Sequence, residues 1–137
     1  MKEVTFSTQK EMQVIQLTDK IREKLNESKE EIKEGLLHVY APHATGAVII
    51  NESADPNVRK DIINKLKDLF PKDDDYKHDR IDNNAHSHLM STFIGCSETV
   101  PIKNNELKLG TWQNISFIET DGPRSKRKVY IQVIKSK

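Results

Sequence analysis

Between Thr99 and Ile134 the chain reads as four short strands in a row: Thr99 to Ile102, Glu106 to Leu109, Trp112 to Glu119 and Lys128 to Ile134. No helical pattern separates them. Parallel neighbours need a crossover of a dozen or more residues, usually a helix, so this order argues against a doubly wound sheet. The break at Lys103-Asn104-Asn105 suits a hairpin turn.

The first half alternates less strictly. Residues 3–8 and 12–17 read as short strands around Val4, Phe6, Val14, Ile15 and Leu17, and Thr18-Asp19 reads as a helix cap. Ile21, Leu25 and Ile32 lie close to one face of the helix that follows, with Ser28 weakening its last turn. Leu36 to Tyr40 and Ala47 to Ile50 are strand-like in their β-branched and aromatic content. Asp55-Pro56 then starts a helix with Asp as cap and Pro in the first turn. Val58, Ile62, Ile63, Leu66, Leu69 and Phe70 keep helical spacing up to Pro71. The expectation is an α+β fold in a single domain over residues 1–137, a length that can bury a real core.

Lys+Arg is 22 against Asp+Glu 21, a balance that argues against a nucleic-acid or membrane-surface binder. The Lys/Glu-rich composition suits a thermophile. Cys96 is the one cysteine, so no intrachain disulfide forms; it reads as a small packing residue. With no signal-like start and no long apolar run, a cytoplasmic location is expected.

Chemistry-bearing residues gather in three stretches. In PHATGAVIINE, His43 follows a strand and a proline, Thr45-Gly46 allows a ligand close to the main chain, and Asn51, Glu52 and Asp55 follow the next strand. This is either a pocket wall or a polar loop with Asp55 as a cap. In YKHDRIDNNAHSHLMSTFIG, three of the chain's five histidines precede an abrupt apolar turn. If Asn84 caps a helix there, His86 and His88 lie about 200° apart, and His88, beside Leu89, is expected to point inward. His78 is too far along the chain for a compact motif, so zinc held by several histidines would need separate elements. Neither H-E-x-x-H nor a cysteine zinc pattern occurs. In LGTWQNISFIETDGPR, Trp112-Gln113 joins an apolar surface to an amide, and the DGPR turn projects Arg124, whose planar fork suits phosphate or carboxylate. The basic residues Lys126, Arg127 and Lys128 read as a solvated edge strand. His38 alternates with Leu37 and Val39 and falls on the less buried face of its strand.

In this order and spacing, PHATGAVIINESADPNV, NNAHSHLMSTFIGCSETVPI and LKLGTWQNISFIETDGPRSKRKV resemble the YjbQ/UPF0047 family. The resemblance implies a β-sheet sandwich with two to three helices, assembled as a homotrimer. It also implies a weak, secondary thiamine-phosphate synthase activity, which joins a pyrimidine diphosphate to a thiazole phosphate and releases pyrophosphate. His43, Glu52, His88 and Arg124 are the implied catalytic residues, and Thr45, Asn51, Trp112 and Gln113 the implied substrate contacts. The chain departs from the family in two places. It has His43-Ala44-Thr45-Gly46-Ala47 where HTTAG is common, and Cys96 where proline is frequent. Two other functions fit the same residues. One is a hydrolase in which His43, His78 and His88 hold a divalent metal, zinc or magnesium, and Glu52 activates water. The other is a non-catalytic binder of a phosphorylated or anionic small molecule.

Overall fold

The computed structural model describes all 137 residues. Eight strands and three helices follow in the order β1 (Lys2–Phe6), β2 (Gln13–Gln16), α1 (Thr18–Asn26), β3 (Glu34–Tyr40), β4 (Ala47–Asn51), α2 (Pro56–Leu69), α3 (Ala85–Ile94), β5 (Ser97–Lys103), β6 (Glu106–Leu107), β7 (Asn114–Glu119) and β8 (Arg127–Lys135). A 3-10 turn, Lys77–Arg80, precedes α3. The strands form two antiparallel sheets, ordered β1-β8-β3-β5-β6 and β2-β7-β4. This is the expected α+β sandwich.

Strand alternation decides what fills the sandwich. In β3, Gly35, Leu37 and Val39 are buried while Leu36 and Tyr40 face outward and His38 lies between the extremes. Their register partners in β8, Val133 and Ile131, lie on the same inner face. The small sheet supplies Val48, Ile115 and Phe117, with Phe6 edge-on to Phe117 at 5.2 Å between ring centroids. Burying a ring such as Phe117 stabilises the fold by about 1.5–3 kcal/mol. Val14, Ile118 and Ala47 share the opposite face of the small sheet, and they too are buried because that face is covered, with α3 against β4. The outer face of the large sheet is bare. It carries Leu36, Tyr40 and Ile134, each exposed.

Several local expectations need correction. The first helix stops at Asn26, and Lys29 takes a positive φ of 53°, so Ile32 reaches the core from a loop. Leu17 holds the cap position of α1, and the Thr18 hydroxyl instead accepts a hydrogen bond from the Ile115 N–H at 2.9 Å. The α2 start is as read, with Asp55 accepting from the Asn57 N–H at 2.8 Å and Pro56 in the first turn. Yet none of the residues of α2 is buried; its apolar stripe is only half covered. β8 lies between β1 and β3, so Arg127 and Lys128 do not sit on an edge strand. Asn104 and Asn105 have φ of 51° and 65°, the left-handed pair that a tight hairpin requires. No helix is long and apolar enough to cross a membrane.

Candidate functional site

The three chemistry-bearing stretches converge at one end of the small sheet. After β3, Pro42 turns the chain and His43 lies beside β8. Its Nε2 is 3.1 Å from both the N and the O of Lys128. A neutral ring accepts from the N–H, whereas a protonated one donates to the carbonyl. Burial, and next the Arg127 charge, push the imidazole below its ordinary value of 6.5, which favours the accepting form. Thr45 Oγ1 accepts from Arg127 Nη2 at 3.2 Å. Gly46, at φ 131°, packs so closely on the Phe117 ring that a side chain would overlap it.

The second stretch meets the first through α3. The Gly46 N–H donates to Ser91 Oγ at 2.6 Å; Ser91 Oγ donates to the Ser87 carbonyl at 2.8 Å and lies 3.2 Å from Thr120 Oγ1. Ser87 Oγ bonds the Thr120 carbonyl, which ties α3 to the turn after β7.

The third stretch closes the junction. Glu119, fully buried, accepts from Thr8 Oγ1 at 2.7 Å, from Arg127 Nε at 2.9 Å and from the N–H groups of Thr120 and Asp121. Arg127 is buried too and also bonds Glu119 through Nη2. Its parity with Val129 and Ile131 turns it inward, contrary to the solvated position expected. Thr8 Oγ1 in turn accepts from the Arg124 N–H at 2.9 Å.

Above this buried base Arg124 is half exposed, with a fixed guanidinium. Nε donates to the Asp121 carbonyl and Nη2 to Asp121 Oδ2, each at 2.9 Å. Asn84 Nδ2 holds the same Oδ2 at 2.9 Å, so Asn84 occupies the cap position of α3 without capping it. Asp79 Oδ1 takes the Ala85 N–H instead, at 3.0 Å.

The histidines divide differently from expectation. His86, not His88, is the buried one, at 5% exposure, because Ala85, His86 and Met90 face the small sheet. Its Nε2 lies 3.9 Å from Glu11 Oε1, and its Nδ1 has no partner. His88 is half-buried against His78, edge-on at 4.8 Å between rings. No group of three or more His, Cys, Asp or Glu side chains is placed to hold a metal ion, so one chain does not gather His43, His78 and His88 around one centre.

Four other predicted residues lie at the far end of the same sheet. Asn51 is paired with Asn114, and Glu52 follows it; Gln113 and Trp112 lie just beyond Asn114. Four residue steps along β4 separate Asn51 from Ala47, about 13 Å at strand rise. One chain therefore brings His43, Thr45 and Arg124 to one junction, with His88 on the helix that flanks it. Asn51, Glu52, Trp112 and Gln113 stay apart. Sequence reading missed Thr8, Asn84, Ser87, Ser91, Glu119, Thr120 and Asp121. The signal for Glu119 was present: a carboxylate in step with Ile115 and Phe117 on the inner face of β7.

The family model for UPF0047 protein YjbQ-like matches residues 2–136. The chain belongs to this family. Among similar proteins, a UPF0047 protein from Methanocaldococcus jannaschii is 42% identical over 132 residues, covering 96% of this chain and 92% of that one. YugU of Bacillus subtilis is 36% identical, covering 98% of each. A crystal structure of a family member from Clostridium acetobutylicum superposes with a TM-score of 0.90 at 40% identity, covering 98% of this chain and all of that one. A Sulfolobus solfataricus protein, described as YbjQ-like and of unknown function, gives 0.92 at 32% identity, covering 98% and 96%.

Proposed function

We propose that the protein binds a phosphorylated small molecule at the junction of α3 with the turn between β7 and β8. The observation that carries this reading is the fixing of Arg124. Two hydrogen bonds to Asp121 set its guanidinium plane, Asn84 holds Asp121 in place, and Nη1 is left for a ligand. A guanidinium held in place before binding gives up little freedom when a phosphate arrives. The half-buried His43, whose lowered pKa favours the neutral ring, supplies a second polar group beside Lys128, two residues before Thr45.

The reaction that suits this site is the thiamine-phosphate synthase type. The bond from the pyrimidine methylene carbon to its diphosphate breaks, the thiazole nitrogen bonds that carbon, and pyrophosphate leaves. Arg124 stabilises the charge growing on the leaving group. Assembly as a homotrimer belongs to the same reading. A divalent ion, zinc or magnesium, enters it only with ligands from more than one chain, starting from the His78–His88 pair.

The test is calorimetry with the pyrimidine diphosphate and the thiazole phosphate, followed by chromatography for thiamine phosphate. Binding that weakens about 10- to 100-fold in Arg124→Ala supports the site, as expected for a charged hydrogen bond. Binding unchanged by that substitution removes Arg124 from the site. Binding without product leaves a non-catalytic anion binder.

A further inference from the structure

We infer that the ligand's phosphate seats on the N-terminus of α3, where the Asp79 carboxylate stands in for it, and that segment 71–83 lifts to let the two exchange. The inference rests on the reading of the Arg124 junction as a phosphate site and names further parts of that site.

The first turn of α3 shows what an anion meets there. Its N–H groups leave the helix at the positive end of the dipole. The Ala85 N–H goes to Asp79 Oδ1 at 3.0 Å, and those of Ser87 and His88 go to the Asn84 carbonyl at 3.0 and 3.3 Å. The His86 N–H has no partner within the chain. The His86 ring is 5% exposed and turns Nε2 toward Glu11. Nδ1, the ring nitrogen nearer the main chain, is left unpaired at this same turn. Arg124 is adjacent, because Arg124 Nη2 and Asn84 Nδ2 both meet Asp121 Oδ2, each at 2.9 Å, and Asn84 directly precedes Ala85. A helix N-terminus beside a fixed guanidinium suits a phosphate, and a carboxylate is the side chain that best imitates one.

The segment that brings Asp79 is weakly held. None of residues 71–83 is buried. Its backbone hydrogen bonds, from Asp79 to Tyr76 and from Ile81 and Asp82 to His78, close within the segment. Two polar ties join it to the rest of the molecule, the Asp79 bond and Lys72 Nζ to Glu11 Oε1 at 3.4 Å, while His78 packs edge-on to His88. Three of the four buried side-chain polar atoms without a partner, His78 Nε2, Asn84 Oδ1 and His86 Nδ1, lie on this segment or at the start of α3. Polar atoms buried without a partner are costly, so parting the segment from α3 gives back part of what it loses. Charge acts in the same direction. The segment carries five aspartates against Lys72, Lys77 and Arg80, and its withdrawal takes net negative charge out of the path of an anion.

Inorganic pyrophosphate is the probe, followed by calorimetry. Removing a competitor that holds the seat most of the time tightens binding by the inverse of the open fraction. Asp79→Ala should therefore bind about 3- to 10-fold more tightly than the parent. Asp79→Asn, which keeps an acceptor for the Ala85 N–H, should gain less, and it carries the test if the alanine variant loses helix by circular dichroism. Asp82→Ala removes a charge from the same segment and should change affinity by less than about twofold. In the parent, pyrophosphate should speed trypsin cleavage after Lys77 and Arg80, read by mass spectrometry. Folded Asp79 variants that bind no more tightly than the parent make Asp79 a helix cap alone and overturn the inference. So does an equal gain in Asp82→Ala, or cleavage slowed by pyrophosphate. Arg124→Ala separates the two readings. If it abolishes binding while the Asp79 variants match the parent, the Arg124 site stands and the exchange at α3 falls. If it leaves binding intact while Asp79→Ala still tightens it, the phosphate sits on α3 and Arg124 is no part of its site. Pyrophosphate bound by neither the parent nor Asp79→Ala overturns both.

Discussion

Arg127 donates from Nε and Nη2 to the two carboxylate oxygens of Glu119, and both side chains are buried under the junction. A buried ion pair is weak evidence of net stabilisation, because both ions lose water. Removing one partner is a different matter. Arg127→Met leaves Glu119 with Thr8 and two backbone N–H groups but no counter-charge. The expected loss is about 3–5 kcal/mol in urea unfolding, and Glu119→Leu combined with Arg127→Met should recover part of it. A single variant as stable as the parent would show that the pair is dispensable.

This pair also shows what the sequence reading could not reach. Arg127 lies in a run of basic residues, and a charge run usually means a solvated surface. Parity with Val129 and Ile131 turned it inward, but only the pairing of β8 between β1 and β3 made inward mean buried. The strands were legible because alternation is local. The sheet order was not, since it depends on pairings such as Phe6 with Arg127, more than a hundred residues apart. For the site, the meeting of three stretches was legible from their polar residues. The inward histidine was misassigned because Leu89 made His88 look buried, whereas Met90 and Ala85 define the buried face.

Gly46 holds a position that no other residue fills without displacement. Its φ of 131° lies in the glycine-favoured region, and an added Cβ meets the edge of the Phe117 ring, itself fully buried. Gly46→Ala should therefore cost at least ~2 kcal/mol, from backbone strain and overpacking together. Thermal unfolding measures it. By contrast Gly95→Ala meets no neighbouring atom, and only its φ of 101° opposes the substitution. A loss at Gly46 no larger than at Gly95 would remove the packing argument.

Asp121 orients Arg124 without occupying the place where a ligand would sit. Asp121→Asn keeps the shape but takes away the charge that Nη2 meets at 2.9 Å. Because the Arg124–Asp121 pair is half exposed on its arginine side, stability should change by no more than ~1 kcal/mol. Phosphate-ester affinity should nevertheless fall, by less than in Arg124→Ala, and Asn84→Ala should show the same pattern more weakly. Calorimetry beside urea unfolding separates the two effects. An Asp121→Asn variant that binds as tightly as the parent would mean that Arg124 is not positioned by Asp121.

His43 makes the stability of this junction depend on pH in a definite direction. Burial, then Arg127, lower its pKa below the 6.5 of the unfolded chain. Between the two values the unfolded state binds more protons, so stability rises with pH there. The contribution of neutral His43 is thus fully present above pH 6.5 and is lost as pH falls below it, through the lowered folded-state value. Over the same window Nε2 changes from accepting the Lys128 N–H to donating to its carbonyl. His43→Gln retains an amide that can accept from Lys128 but does not titrate. Urea unfolding of the two proteins from pH 8 to pH 5 should give midpoints that run parallel above pH 7 and diverge below 6.5, with the parent falling faster. Parallel curves throughout would show that His43 stays accessible to protons in the folded protein.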